Sequence, residues 1–167
     1  MATERTQTIE GDAPVGGNAT ARPPRVDIRR DAPDAYRALA ALTRASTLDH
    51  GLAELVKTRA SQINGCAYCV DLHAGLARRA GEHERRLHVL AVWREVSFFT
   101  PRERAALALT EALTLLAHGP VPDEVYAEAA RHFEAPELSH LVVVITGINA
   151  WNRVMNAAGD QPPPIDD

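Results

Sequence analysis

Thr100-Pro101-Arg102-Glu103, running on through Arg104-Ala105-Ala106-Leu107-Ala108-Leu109 to His118, reads as a helix from its first residue. Threonine is a good N-cap, and glutamate three residues later completes a capping box. Proline suits the first helical position because the N–H it lacks has no helical partner there. Gly119-Pro120 stops the helix. Similar signals recur on both sides. Asp34–Ala45 places Tyr36, Leu39, Ala40 and Leu42 at helical intervals. Asp49 caps a helix to about Ile63, which Asn64-Gly65 ends. Further helices are expected from near Cys66 to Gly81 and from Glu84 to Glu95. Pro122-Asp123-Glu124 opens another to about Phe133, and Pro136 opens the last, ending at Gly159. No alternating pattern argues for a strand. The expectation is an all-α, single-domain bundle of six or seven helices over residues 34–159, with a Cys-x-x-Cys at a helix N-terminus.

Composition agrees. Of 167 residues 46% are apolar, with only three Phe, two Trp and three Tyr, so alanine and leucine build the core and favour helix over strand. Residues 1–33 combine Gly, Pro and scattered charge without apolar periodicity and are expected to form a disordered or extended tail. Residues 160–167, with three consecutive prolines, make a second, shorter tail. A net charge of -4 offers no basic face for nucleic acid. The longest apolar run, near Leu141–Ile145, is too short to span a bilayer. Met1–Glu10 has no hydrophobic stretch of the kind a secretory signal needs, so the cytoplasm is the expected location.

The chain has two cysteines, three positions apart, in Ser61-Gln62-Ile63-Asn64-Gly65-Cys66-Ala67-Tyr68-Cys69-Val70-Asp71-Leu72-His73. So short a loop gives a structural disulfide little to restrain, and a reducing cytosol disfavours one. At 100° per residue, Cys66, Cys69 and His73 fall on one helix face within an arc of about 60°. The Asn64-Gly65 break puts Cys66 in the first turn of the new helix, where free N–H groups and the helix dipole favour a thiolate. His73, one turn beyond Cys69, can relay a proton or bond the sulfur. A depressed thiol pKa is not enough by itself. Lowering it from about 8.5 to about 6.5 raises the thiolate fraction at neutral pH roughly 25-fold, and the accompanying loss of nucleophilicity takes back roughly 8-fold. A peroxidase therefore also needs a proton donor for the leaving oxygen and a second thiol to capture the sulfenic acid. His73 and the other cysteine suit those two tasks.

The segment Glu54–His73 resembles the signature of the alkylhydroperoxidase D / carboxymuconolactone decarboxylase-like superfamily through Glu54, Arg59, Ser61, Gln62, Asn64, Gly65, Cys66, Cys69 and His73. The resemblance continues in Arg102-Glu103-Arg104-Ala105-Ala106-Leu107, Thr110-Glu111-Ala112 and Asn149-Ala150-Trp151-Asn152-Arg153, covering about residues 34–158. It implies a thiol-dependent peroxidase in which Cys69 attacks the hydroperoxide and Cys66 resolves it. Glu54 and His73 form the proton relay, and a lipoylated or thioredoxin-like protein thiol reduces the disulfide. It also implies a homo-oligomer, a trimer or hexamer, and no cofactor. Alkylhydroperoxidase D carries a second histidine just before the later cysteine. Here that position is Tyr68, whose pKa near 10 makes it no equivalent base at neutral pH. Helix position favours Cys66 as nucleophile; the resemblance and His73 favour Cys69. We assign Cys69 to peroxide attack and Cys66 to exchange with the partner.

Other readings compete. The superfamily's cofactor-free lactone decarboxylases do not require the Cys-x-x-Cys, and a redox-sensing protein without turnover would keep the dithiol alone. Zinc would want four ligands where Cys66, Cys69 and His73 supply three. Covalent haem would want histidine directly after Cys69, where Val70 stands. On its helix Glu54 shares a polar face with Lys57, Thr58 and Ser61, which reads as solvated. Arg59 sits in the apolar arc, so it snorkels or has an internal carboxylate partner. Trp151, Asn152 and Arg153 read as packing and capping residues.

Overall fold

The helices begin and end where their caps dictate. The computed structural model describes residues 25–164 and forms α1 (Ile28–Asp31), α2 (Pro33–Arg44), α3 (His50–Ile63), α4 (Ala67–Arg79), α5 (Glu84–His88), α6 (Pro101–Thr114), α7 (Asp123–His132) and α8 (Ala135–Ala158). 3₁₀ turns follow α5 (Leu90–Glu95, kinked at Val92) and α6 (Leu116–His118), and no strand occurs among the described residues. Both halves of the Thr100/Glu103 capping box are made. Asp49 caps α3 by accepting from the Leu52 N–H at 2.9 Å. Of the expected tails, residues 1–24 and 165–167 lie outside the described residues. Within 25–33, α1 forms one turn capped by Asp27, and the Arg25 N–H donates to the Ala158 carbonyl at 3.1 Å.

The seven expected helices correspond to α2–α8, with two of them broken. The Glu84–Glu95 helix leaves α geometry after His88, and Val92 sits at φ -120°, ψ 31°. Its core contacts explain the break. Leu87, Leu90 and Trp93 recur every three residues, the repeat of a 3₁₀ helix, and that winding turns all three towards Leu55, Phe99 and Leu107. The helix opened by Thr100 likewise ends as α6 at Thr114, and its last turn tightens to 3₁₀.

α3 is the axis of the bundle and packs against α4, α6 and α8. One side, with Leu52, Ala53 and Val56, meets Ala106 and Leu109 of α6 and Leu141, Val144 and Ile145 of α8. Each buried Leu, Val or Ile side chain among them contributes about 1.5–3 kcal/mol. The face expected to be solvated is instead covered: Glu54, Thr58 and Ser61 are buried. The Thr58 and Ser61 hydroxyls donate back to the carbonyls of Glu54 and Lys57, both at 2.7 Å, which satisfies them inside the protein. Arg59 finds its carboxylate in Glu111 of α6, at 2.7 Å. Glu111 also accepts from the Trp93 indole and from Arg94, fastening the 3₁₀ segment to α3 and α6.

Candidate active site

The turn between α3 and α4 sets the site. Gly65 adopts φ +62°, a left-handed conformation that strains any residue with a Cβ. Its N–H bonds the Gln62 carbonyl at 3.3 Å, and the Cys66 N–H bonds the Ser61 carbonyl at 3.0 Å. This is the Schellman pattern that closes a helix. It delivers Cys66 to the N-cap of α4, one position ahead of the expected first turn, and Cys69 to its third residue. A buried amide network locks this junction to α8. The Asn64 side chain donates to Asn149 and Asn152, both at 2.9 Å, and Asn152 donates to the Ser61 hydroxyl at 3.0 Å.

Both thiols are unbridged and 2% exposed, with their sulfurs 2.7 Å apart. They pack with Ala60, Ile148 and Met155, flanked by Tyr68 and Trp151. Charge is divided unequally between them. The hydrogen bond from Cys69 lowers Cys66 to about 7 against the opposing effect of burial, with further help from the Cys69 amide and the Asn152 side chain. Cys69 is pushed up by sharing the proton with Cys66 and by burial. Of the two sulfurs, Cys66 is thus the one more readily ionised. Cys66 also borders an open depression of about 520 Å³ with Gln62, Gly65, Val70 and Asp71. Tyr68 turns to a different cleft, of about 570 Å³, shared with Tyr36, Val154 and Met155. Alkylation of reduced protein with iodoacetamide is expected to show the asymmetry. The Cys66 rate should plateau above about pH 7 and fall tenfold per unit below it, while Cys69 stays unlabelled over that range.

Glu54 and His73 form the second half of the site. The Glu54 side chain is 2% exposed and its Oε2 lies 2.7 Å from His73 Nδ1, across the α3–α4 interface. Oε1 accepts from Lys57 Nζ at 2.7 Å, and the exposed His50 Nε2 stands 3.8 Å away. Burial pushes the Glu54 carboxyl up, but hydrogen bonds from His73 and Lys57 outweigh it and hold the group below the usual carboxylate range. An ionised carboxylate can only accept, so His73 carries its proton on Nδ1 and leaves Nε2 open. The four expected residues thus occur as two closely bonded pairs, Cys66–Cys69 and Glu54–His73. Among the described residues His73 makes no hydrogen bond to either sulfur, and no group of three or more His, Cys, Asp and Glu side chains is placed to hold a metal ion. Asn152, read from sequence as packing, is fully buried and favours the anionic form of both thiols. Its signal was available: Asn149 and Asn152 interrupt the buried stripe Ile145, Ile148, Met155, and a buried amide must be bonded to something.

Comparison with known proteins places this geometry. Residues 30–112 match the carboxymuconolactone decarboxylase family. The chain is 42% identical over 119 residues to the uncharacterized protein YdfG of Bacillus subtilis, spanning 71% of this chain and 81% of that protein. The crystal structure of ATU0492 from Agrobacterium tumefaciens, a protein of unknown function with a suggested relation to the antioxidant defence protein AhpD, superposes with a TM-score of 0.82 at 36% identity. That match covers 86% of this chain and all of the other. The debrominase Bmp8 shares the fold at TM-score 0.70 and 23% identity, over 79% of this chain and 73% of its own. On the strength of the matched segment and these relatives, the chain belongs to the carboxymuconolactone decarboxylase family.

Proposed function

We propose that this protein is a thiol-dependent peroxidase of the alkylhydroperoxidase type, cycling Cys66 and Cys69 between dithiol and disulfide. The observation that carries the reading is the pair of buried sulfurs 2.7 Å apart, with His73, bonded to the buried Glu54, one helical turn beyond Cys69. A lactone decarboxylase has no use for two thiols in this contact.

The cycle begins when the Cys69 proton passes to His73 Nε2. The Cys69 thiolate attacks a peroxide oxygen: the S–O bond forms, the O–O bond breaks, and the departing alkoxide takes a proton from His73 to leave as the alcohol. Cys66 then attacks the sulfenic sulfur. The S–S bond forms, and the displaced hydroxide takes a proton from solvent and leaves as water. Two electrons have passed from the thiols to the peroxide. A partner dithiol, lipoylated or thioredoxin-like, returns them through the depression beside Cys66. Tyr68, in place of a second histidine, leaves the Glu54–His73 pair as the relay. A homo-oligomer, trimer or hexamer, belongs to the same proposal, as does a place in the cytoplasm. No helix among the described residues is long and apolar enough to cross a membrane.

The direct test is steady-state consumption of cumene hydroperoxide with dihydrolipoamide as reductant. Turnover should require both reagents, and one equivalent of peroxide alone should convert the reduced protein to the Cys66–Cys69 disulfide. Absence of both reactions would leave a dithiol protein without peroxidase chemistry.

A further inference from the structure

We propose that Lys57 is a positioning residue for the thiol chemistry: its ammonium group holds the buried Glu54 as the hydrogen-bond acceptor of His73 Nδ1–H, and so dictates that Nε2 is the nitrogen that exchanges protons. The inference rests on the relay reading above. Lys57 lies one turn after Glu54 on α3, with Nζ 2.7 Å from Oε1 and its side chain only 13% exposed. A lysine on a helix surface ordinarily extends its strongly hydrated ammonium into water. Here it turns inward to a carboxylate that already has a partner.

A stapling role does not account for this. Lys57 and Glu54 belong to the same helix, so their bond joins no two elements, whereas the Glu54–His73 bond already ties α3 to α4. What the ammonium does supply is charge. Burial drives a lone carboxyl towards its neutral form, and a neutral carboxyl can donate a proton as well as accept one. Glu54 donating to Nδ1 would move the imidazole proton to Nε2 and reverse the direction in which His73 can act. The His73 hydrogen bond also favours the carboxylate, but that bond can run in either direction, and the fixed charge of Lys57 favours only one. His50, also on α3, stands 3.8 Å away and two-thirds exposed, and from α4 the facing group is His73 itself. Among the described residues, α6 and α8, which also pack on α3, contribute no ion pair to this carboxylate.

The test compares wild type, Lys57→Met and Lys57→Arg by ¹⁵N NMR of the His73 imidazole across about pH 4–8 and by the pH–rate profile with cumene hydroperoxide. Wild type and Lys57→Arg should show the Nδ1–H tautomer. Lys57→Met should shift towards Nε2–H on acidification, and the acid limb set by Glu54 should move up by about 1–3 pH units, the effect of removing an opposite charge at this range. On that limb the rate at a fixed pH should drop roughly tenfold or more. Should Lys57→Met not fold, Lys57→Gln removes the same charge and is read in the same way. Retention of the Nδ1–H tautomer and an unmoved profile in the uncharged variant overturns the inference, and so does loss of both in Lys57→Arg. A tautomer that switches in a protein showing no turnover in any form would instead sink the peroxidase reading and leave the role of Lys57 intact.

Discussion

Cys69→Ser is expected to abolish peroxide turnover, by on the order of 10³-fold or more, the scale on which enzymes lose rate with their nucleophile. A serine hydroxyl fills the same buried space and can still donate to Cys66, so the helical circular dichroism should be unchanged. It ionises far too weakly to attack an O–O bond. Cys66→Ser is expected to behave differently. Without a resolving thiol, the protein should complete one turnover and stop as a Cys69 sulfenic acid, trapped by dimedone and located by peptide mass. The pair of variants decides between the two sulfurs. Cys66 is the more readily ionised and borders the open depression, whereas the relay stands one turn beyond Cys69. A dimedone adduct on Cys66 in Cys69→Ser, with no adduct on Cys69 in Cys66→Ser, would exchange the two roles while leaving the dithiol cycle in place.

Glu54→Ala is expected to damage stability and activity together. The carboxylate is almost completely buried between His73 and Lys57. Breaking a buried ion pair costs about 3–5 kcal/mol, and the lower end applies because Lys57 retains a path to water. For a domain of this size that is a fall in Tm of about 6–12 °C, readable by calorimetry. Turnover should decrease by about 10²–10⁴-fold, the usual contribution of acid–base catalysis. Glu54→Gln separates cavity from charge: it keeps the volume and one of the two acceptor oxygens, so it should recover part of the Tm and little of the turnover. The pH dependence has a definite sign. Glu54 is held below its unfolded range, so its contribution to stability is complete above about pH 4.3 and is lost as the pH falls through the depressed folded value. A Glu54→Ala protein whose stability deficit vanished at neutral pH and appeared only in acid would contradict this account.

The sequence made the helices legible because their signals are local. Caps at Asp49 and Thr100, breaks at Asn64-Gly65 and Gly119-Pro120, and apolar residues three and four apart act within one or two turns of themselves. Seven segments could be marked out and found again as α2–α8. Errors arose where distant residues decided the outcome. The Glu84–Glu95 segment has every local reason to be an α-helix. It winds more tightly because Leu87, Leu90 and Trp93 must all reach a surface built by Leu55, Phe99 and Leu107. The polar face of α3 was read as solvated, since amphipathicity says which residues are polar and not what packs over them.

At the site the division is the same. Spacing alone placed two thiols and an imidazole on one face of a helix beside its start, because a helix has a fixed pitch and Asn64-Gly65 breaks the chain locally. The partner of His73 is 19 positions away, that of Arg59 is 52, and the amides linking Asn64 to α8 are 85 and 88. Such pairings form only when separate helices dock. Docking also removes the water that would otherwise screen Glu54 from Lys57 and hold the two thiols equivalent. The one-dimensional chain therefore specified which reactive groups are present and that the sulfurs can meet. The docking of α3, α4 and α8 decided which groups surround each sulfur and which nitrogen of His73 faces a carboxylate.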